Sequence, residues 1–367
     1  MEHTVFLGQQ AWRYRNESQQ KPPRQLQSAA QLNAAQLLQA AREGTATVWL
    51  GDFYQAKQLL AALKKRTAPK HKPCTDPREA FHKYRLAQSQ HSRLANMLLL
   101  PVNADYRIDL PRAPNVQAAL QAVYGTASDT PFLLPLNQLL GFIGAYEWQK
   151  KGVWMDALQA NIHVPFGVFS PIRGEYVELV RQAAAQSQAH TAMDIGTGSG
   201  VLAAVLAKHS AACITATDNN PRAVACAADN IARLGLSSRV RVQMQDLFAD
   251  ESADLIVCNP PWLPARPTSA IETALYDPDH AMLHALLHNA GRHLNDGGEL
   301  WIVMSDLAEH LGLRAADDLQ NWFAQTGWRV KSSLHTAPRH AKAQNAHDPL
   351  AFARGRETTT LYCLERA

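Results

Sequence analysis

Along the carboxyl-terminal half, short apolar runs alternate with stretches whose apolar residues recur at helical spacing. Ala192-Met193-Asp194-Ile195 reads as the end of a buried strand, and Val201 to Lys208 as an amphipathic helix. Cys213 to Thr217, Val240 to Met244 and Ala253 to Cys258 read as the second, third and fourth strands, and a further helix opens at Asn219-Asn220-Pro221. Gly298 to Met304, Trp328 to Leu334 and Thr358 to Leu364 supply the fifth, sixth and last, with helical segments at Leu307 to Leu313 and Ala315 to Thr326. Strands that alternate with helices predict an α/β fold around a largely parallel sheet.

The amino-terminal part follows a different pattern. Residues 1–25 are polar and rich in Gln and Pro, which predicts an extended basic arm. Ala29 to Arg42 has helical periodicity, Thr45 to Leu50 is a strand ending at Gly51-Asp52, and Gln55 to Arg66 is another helix. This strand-helix unit carries an acid but no glycine loop, so residues 26–150 are expected to form a smaller α/β or mostly helical domain without a cofactor. The Pro-punctuated stretch from Leu110 to Leu136 supports no assignment. Gly141 to Trp154 begins a bridge to a second domain, residues 151–367.

Between the first strand and its helix lies Gly196-Thr197-Gly198-Ser199-Gly200. Glycines are needed where a chain turns with positive φ, or where backbone must approach a ligand that a Cβ would exclude. A dehydrogenase fingerprint is G-x-G-x-x-G, whereas this loop is G-x-G-x-G; the alternative reading is a plain structural turn. Asp218 ends the second strand roughly 20 residues on, where an acid can accept both hydroxyls of a ribose. The alternative is that Asp218 caps the helix opened by Pro221, although Asn219 or Asn220 could cap it as well. Asp246, after the third strand, can accept an adenine amino group while Leu247 or Phe248 covers the ring, or can be a solvated loop acid.

The fourth strand runs into Asn259-Pro260-Pro261-Trp262. An amide or exocyclic base nitrogen is a poor nucleophile because its lone pair is delocalised. A site can help by accepting both N–H bonds and aiming the lone pair at an electrophile. Asn259 offers a side-chain carbonyl and Pro260 a backbone carbonyl. The two prolines stiffen the loop, and Trp262 offers a flat face to a planar group.

DIGTGSG, TATD, QDLF and NPPW, in this order, resemble the class I S-adenosylmethionine-dependent methyltransferases, in the branch that methylates planar amino groups. That branch includes N5-glutamine enzymes of release factors and ribosomal protein L3, N6-adenine enzymes, and guanine-N2 enzymes of the methyltransferase small domain group. The resemblance covers about Val164 to Ala367. It implies a Rossmann-like seven-stranded sheet in which a reversed last strand pairs with the sixth. It implies S-adenosylmethionine as cofactor, with Asp194, Gly196, Thr197, Gly198 and Gly200 at its methionine end. Asp218 and Asn219 would face the ribose, Asp246 and Leu247 the adenine, and Asn259 both cofactor and acceptor. Asn259, Pro260 and Trp262 would then be catalytic, with Phe169, Pro261 and Trp262 against the substrate. His163 to Pro171 resembles the segment that precedes the cofactor site in these relatives. Two departures stand out: Trp262 replaces the usual Tyr or Phe, and Pro171-Ile172-Arg173-Gly174-Glu175 only loosely matches the glutamine enzymes' proline-arginine signature.

Charge bears on the substrate. Residues 1–100 contain 15 Lys/Arg against 6 Asp/Glu, while the remainder contains 21 against 26. Lys64-Lys65-Arg66, Lys70-His71-Lys72 and Lys83-Tyr84-Arg85 concentrate the excess, close to aromatic residues. Such clusters suit phosphate contact with stacking, or form an ordinary solvated face. The long segment from Thr336 to Glu357, with His340 among its basic residues, is expected to be a substrate lid or phosphate contact, or else an excursion without a role. The five scattered cysteines show no metal-ligand spacing and suit a reducing cytoplasm. No apolar run reaches membrane-spanning length, and Met1-Glu2-His3 does not open a secretory signal. The expectation is therefore a cytoplasmic N-methyltransferase without a metal. Its acceptor is RNA, ribosomal in the first instance, or alternatively a glutamine in a ribosomal or translation-factor protein.

Overall fold

The strand-helix alternation of the carboxyl-terminal half is realised as one twisted sheet. A computed structural model describes residues 2–69, 74–127, 129–172, 174–338 and 348–367. The chain divides into two compact units, one of Met1–Cys74 with His82–Glu147, the other of Thr75–Phe81 with Trp148–Ala367.

The first unit contains β1 (Glu2–Leu7), β2 (Gln10–Arg15), β3 (Gln25–Ala29), α1 (Ala34–Glu43), β4 (Thr45–Trp49) and α2 (Phe53–Thr67). They are followed by α3 (Pro77–Ala95), β5 (Leu98–Val102), α4 (Gln117–Tyr124), β6 (Phe132–Pro135) and α5 (Leu136–Lys151). Its sheet has the order β1-β2-β6-β5-β4-β3, which makes this unit α/β rather than mostly helical. The expected arm is instead a hairpin built into that sheet. Val5 and Tyr14 are buried in its core, and burial pushes the Tyr14 phenol up to about 12. Between them Gln9 and Gln10 are exposed while Leu7 and Trp12 pack at the edge of the core, so these strands show no clean apolar alternation in sequence. The helix expected from Ala29 begins later. Ala29 pairs with Trp49 in parallel, and the helix waits for Asn33, whose side chain accepts from the Ala35 and Gln36 N–H groups in a capping box. The stretch from Leu110 to Leu136 holds α4 and β6, and the expected bridge is the long helix α5.

In this unit the acid after β4 is already committed. Asp52 caps α2 by accepting from the Gln55 N–H at 3.0 Å. Arg112 donates to both of its oxygens at 2.7 Å. The Arg112 guanidinium holds the Asp52 carboxyl down to about 2.

The second unit continues with β7 (Val153–Met155), β8 (Ala160–Ile162), α6 (Glu175–Ala184), β9 (Thr191–Ile195), α7 (Val201–His209), β10 (Cys213–Asp218), α8 (Pro221–Arg233), β11 (Val240–Met244) and β12 (Ala253–Cys258). After them come α9 (Ala281–Asn289), β13 (Leu294–Ser305), α10 (Leu307–His310), α11 (Asp318–Gln325), β14 (Trp328–Thr336), α12 (Ala351–Arg354) and β15 (Thr359–Arg366). The sheet order is β11-β10-β9-β12-β13-β15-β14. The five strands from β11 to β13 are parallel, and β15 enters antiparallel between β13 and β14. This is the seven-stranded sheet with a reversed last strand that the sequence led us to expect. Apolar cores cover both faces, one around α6, α7 and α8, the other around α9 and α11. The order reverses beside β9, so the carboxyl ends of β9 and β12 diverge into a crevice, the position where such sheets hold ligands.

Candidate cofactor and acceptor site

The loop that leaves β9 is held in place by the strand's own acid. Asp194 is 1% exposed. Its Oδ2 accepts from the Thr197 hydroxyl at 2.6 Å and from the Ala203 N–H at 3.0 Å. Burial, with a contribution from the Asp218 charge, pushes its carboxyl up to about 6 against these hydrogen bonds. Gly196, Gly198 and Gly200 all have positive φ, at 69°, 55° and 80°. They divide the work. Gly196, Gly198 and Asp194 line a cavity of about 880 Å³, within the range of small-molecule sites. Gly200 does not reach it. A Cβ there would come within 3.1 Å of Ala227, so this glycine lets α7 start against α8.

Asp218 ends β10 with both oxygens occupied by backbone. Its Oδ2 accepts from the Gly198 N–H at 2.9 Å and its Oδ1 from the Asn220 N–H at 2.8 Å. The helix cap is Asn220, whose side chain accepts from the Arg222 N–H. Asp218 is thereby free of that duty and lines the cavity. Each carboxylate oxygen retains a lone pair for a hydroxyl donor. Asn219 and Asp246 stand beside it, joined by a 3.1 Å hydrogen bond from the Asn219 amide. Leu247 has a φ of 59°, its carbonyl accepts from the Thr217 hydroxyl at 2.5 Å, and its side chain lines the cavity. Phe248 turns away and stacks on His293, so Leu247 is the residue available to cover a ring.

β12 delivers Asn259 to the floor of this cavity and to a second one of about 330 Å³. Phe169, Tyr176, Asn259 and Ala274 line both. The two prolines separate. Pro260 lines the smaller pocket, while Pro261, expected against the substrate, lines the larger cavity. The Pro260 carbonyl accepts no hydrogen bond among the described residues. Trp262 lines the smaller pocket, but its indole also does something its flat shape did not predict. Its Nε1–H donates to Asn259 Oδ1 at 3.0 Å and to the Val303 carbonyl at 3.2 Å.

Several residues of this site gave no signal in the sequence. Tyr176 on α6 is buried between the two cavities. Burial, with the nearby Asp194 charge, pushes its phenol above the usual range, while the Asn259 side chain works the other way. Asn230 on α8 is fully buried and ties three segments together. It accepts from the His163 N–H at 2.8 Å and donates to the His163 and Ser199 carbonyls at 3.0 Å. The stretch that supplies Gly167, Val168 and Phe169 is thereby fastened to the glycine loop. Asp277 accepts from the Met282 and Leu283 N–H groups, starting α9 so that Met282 reaches the cavity.

Other expected residues lie elsewhere. Lys64, Lys65 and Arg66 occupy the last turn of α2 in the first unit, where cations complement the carbonyl end of a helix. Burial lowers the Lys64 pKa. His340 lies outside the described residues. Of the expected lid segment, Arg354 and Glu357 line the smaller pocket. Arg354 pairs with Asp348, and the buried Glu357 accepts from the Ser305 hydroxyl at 2.8 Å. Among the described residues no cluster could hold a metal ion, and no helix is long and apolar enough to cross a membrane.

Comparison with known proteins converges on the same region. Residues 161–331 match the family model of the methyltransferase small domain. A release factor glutamine methyltransferase of Cereibacter sphaeroides is 38% identical over 142 residues, covering 35% of this chain and 51% of that protein. A ribosomal protein uL3 glutamine methyltransferase of Neisseria gonorrhoeae is 36% identical over 141 residues, covering 35% and 44%. A tRNA1(Val) (adenine(37)-N6)-methyltransferase of Cytophaga hutchinsonii is 32% identical over 136 residues, covering 35% and 57%. The chain thus spans about half the length of the curated relatives it matches. Among solved structures, a ribosomal protein L11 methylase from Lactobacillus delbrueckii subsp. bulgaricus aligns with a TM-score of 0.40 at 20% identity, over 57% of this chain and 86% of that one.

Proposed function

We propose that this chain, whose residues 161–331 match the methyltransferase small domain model, is an S-adenosylmethionine-dependent enzyme that methylates a planar amino nitrogen. The observation that carries this reading is Asn259 on the wall shared by the two cavities, with Pro260 on the acceptor side. The larger cavity fits the cofactor chemically. It offers a glycine loop without Cβ atoms, a carboxylate for hydroxyl pairs at Asp218, and a second acid with an apolar cover at Asp246 and Leu247. When bound, S-adenosylmethionine supplies an electrophilic methyl group. The residues of this chain orient the acceptor. The Asn259 and Pro260 carbonyls take its two N–H hydrogens, which draws the nitrogen out of conjugation and directs its lone pair toward the larger cavity. Phe169 and Tyr176 wall the pocket and keep water out. No base is required before transfer, because the product nitrogen is acidic enough to release its proton to water. Most of the rate enhancement then comes from orientation.

For the acceptor, the site favours a glutamine amide in a polypeptide. A further groove of about 620 Å³ meets the acceptor pocket at Ile172. Its described lining joins the polar Asp156, Glu175, Glu178 and Gln182 to the apolar Trp154, Ile172 and Leu179, and Arg181 pairs with Glu178 from alongside. Such a mixed polar and apolar wall suits a polypeptide. Two of the three relatives above carry the name of glutamine methyltransferases, which agrees. RNA is the second reading, favoured by the 15 Lys/Arg against 6 Asp/Glu in residues 1–100. The test is transfer of labelled methyl into a lysate depleted of small molecules, followed by nuclease or protease. Label that survives nuclease and is recovered as N5-methylglutamine supports the proposal. Label lost to nuclease moves the acceptor to RNA, and label on oxygen or carbon refutes the planar-nitrogen reading.

A further inference from the structure

The residue that departs from the expected tetrapeptide has an unexpected hydrogen bond. A tyrosine or phenylalanine at position 262 would have no indole N–H. Trp262 has one, and it reaches two acceptors on different elements, Asn259 Oδ1 at 3.0 Å and the Val303 carbonyl at 3.2 Å. Val303 lies near the carboxyl end of β13, paired to Leu361 of β15, so one acceptor belongs to the sheet and the other to the loop. The ring itself is half-buried and packs against both apolar cores. It is therefore wedged where β12 ends, with its polar edge toward Asn259.

An asparagine amide has an oxygen and an NH2 of nearly the same shape, and the two can exchange by a half-turn of the side chain. Only one of these orientations serves a nitrogen acceptor, because the pocket needs a hydrogen-bond acceptor and not a second donor. An indole N–H facing the amide removes the ambiguity. With oxygen toward it a bond forms, whereas with NH2 toward it two donors oppose each other and the indole keeps only the Val303 carbonyl. We infer that Trp262 is a positioning residue that holds the Asn259 carbonyl in the orientation able to accept from the acceptor nitrogen. The bond uses one lone pair of Oδ1 and leaves the other for the acceptor. The Val303 carbonyl shares the same N–H as a second acceptor, so the indole edge that the amide meets is referenced to the sheet as well as to the loop. This inference rests on the N-methyl-transfer reading for its kinetic consequence, but its geometry stands without it.

The experiment has two arms. In the first, Trp262 is replaced by phenylalanine, and separately by a benzothiophene analogue of tryptophan inserted at that position alone, which keeps the ring's shape and lacks the N–H. Both are expected to lower kcat by roughly 10- to 100-fold, with the acceptor KM and S-adenosylmethionine affinity within about three-fold of native. Full activity in the benzothiophene protein would show that ring shape alone is needed and would overturn the inference. The second arm needs no activity. The indole ¹H–¹⁵N resonance of Trp262, identified by its disappearance in Trp262→Phe, is followed in Asn259→Ala. It is expected to shift and to exchange faster with solvent, and an unchanged resonance overturns the inference. Absence of turnover in native protein on every acceptor, with the resonance shifting as expected, refutes the methyltransferase reading and leaves the positioning contact intact.

Discussion

Asp218→Ala removes a group that the structure uses twice. The carboxylate accepts two backbone N–H groups, Gly198 at 2.9 Å and Asn220 at 2.8 Å, and it lines the cavity where a ribose would lie. A hydrogen bond to a charged group contributes about 1.5–3 kcal/mol. Asp218 is half-buried, so water takes over part of each lost bond and the lower end of that range applies. Without the acid the glycine loop also loses its tie to β10, and the cofactor must reorder it on binding. The sum is an expected loss of about 2–4 kcal/mol in S-adenosylmethionine affinity, or roughly 30- to 1000-fold in Kd. Fold stability should fall by less, about 1–2 kcal/mol, because Asp194 and Thr197 still hold the loop at its other side. Asp218→Asn keeps one acceptor oxygen and should fall between the two proteins. Titration calorimetry with S-adenosylmethionine and S-adenosylhomocysteine at fixed ionic strength reads the first quantity, and thermal melting without ligand reads the second. A Kd within about three-fold of native, in a protein that melts normally, would show that Asp218 neither faces the ribose nor orders the loop.

Asn259→Ala should abolish methyl transfer while leaving cofactor affinity within about three-fold of native, since its carbonyl serves the acceptor; substantial residual turnover would refute the carbonyl-pair mechanism. Asp194 ionises near pH 6 in the folded chain and near 3.9 when unfolded. The native state therefore binds the extra proton between these values, and stability from this group is complete below pH 4 and lost as pH rises through 6. The stability difference between native protein and Asp194→Asn should thus shrink by about 2–3 kcal/mol from pH 4 to pH 7, measured by urea unfolding, and a flat difference would contradict the burial argument. Gly200→Ala combines a φ of 80° with a 3.1 Å approach to Ala227, so it should cost about 1–3 kcal/mol of stability. Because Gly200 lies behind the cavity, cofactor affinity in the folded variant should change much less than with alanine at Gly198.

What could be read from sequence was whatever one segment encodes by itself. The glycine loop, the acid after β10 and the asparagine-proline turn after β12 are each local, and each sits at a strand's carboxyl end, so the alternation of elements was enough to bring them to one edge of the sheet. Tyr176, Asn230 and Met282 were invisible because they come from helices and reach the site only through packing. Nothing in their own neighbourhoods distinguishes them from core residues. The first hairpin was missed for a related reason. Strands in which only Val5 and Tyr14 are fully buried, with Leu7 and Trp12 at the edge of their core and Phe6 exposed, do not show a clean alternation. Trp262 marks the boundary between the two cases. Its presence was legible as a departure, but its N–H finds Val303 only once β13 is laid beside β12.

The insertion of β15 between β13 and β14 makes assembly of this sheet conditional. β14 touches no other strand, and β13 is satisfied on that side by β15 alone. Until residues 359–366 arrive, β14 has nothing to pair with and β13 exposes an open edge, a surface prone to pairing with other chains. Synthesis delivers those residues after the other six strands of this sheet, across a long sequence gap from β13, and long-range closure of this kind is slow. The Val303 carbonyl that anchors Trp262 lies on β13, beside Leu361. The unit should therefore gain its acceptor geometry in one late step rather than gradually. A nascent chain arrested before residue 359 should bind chaperones and resist conversion to a cofactor-binding state, however complete its glycine loop.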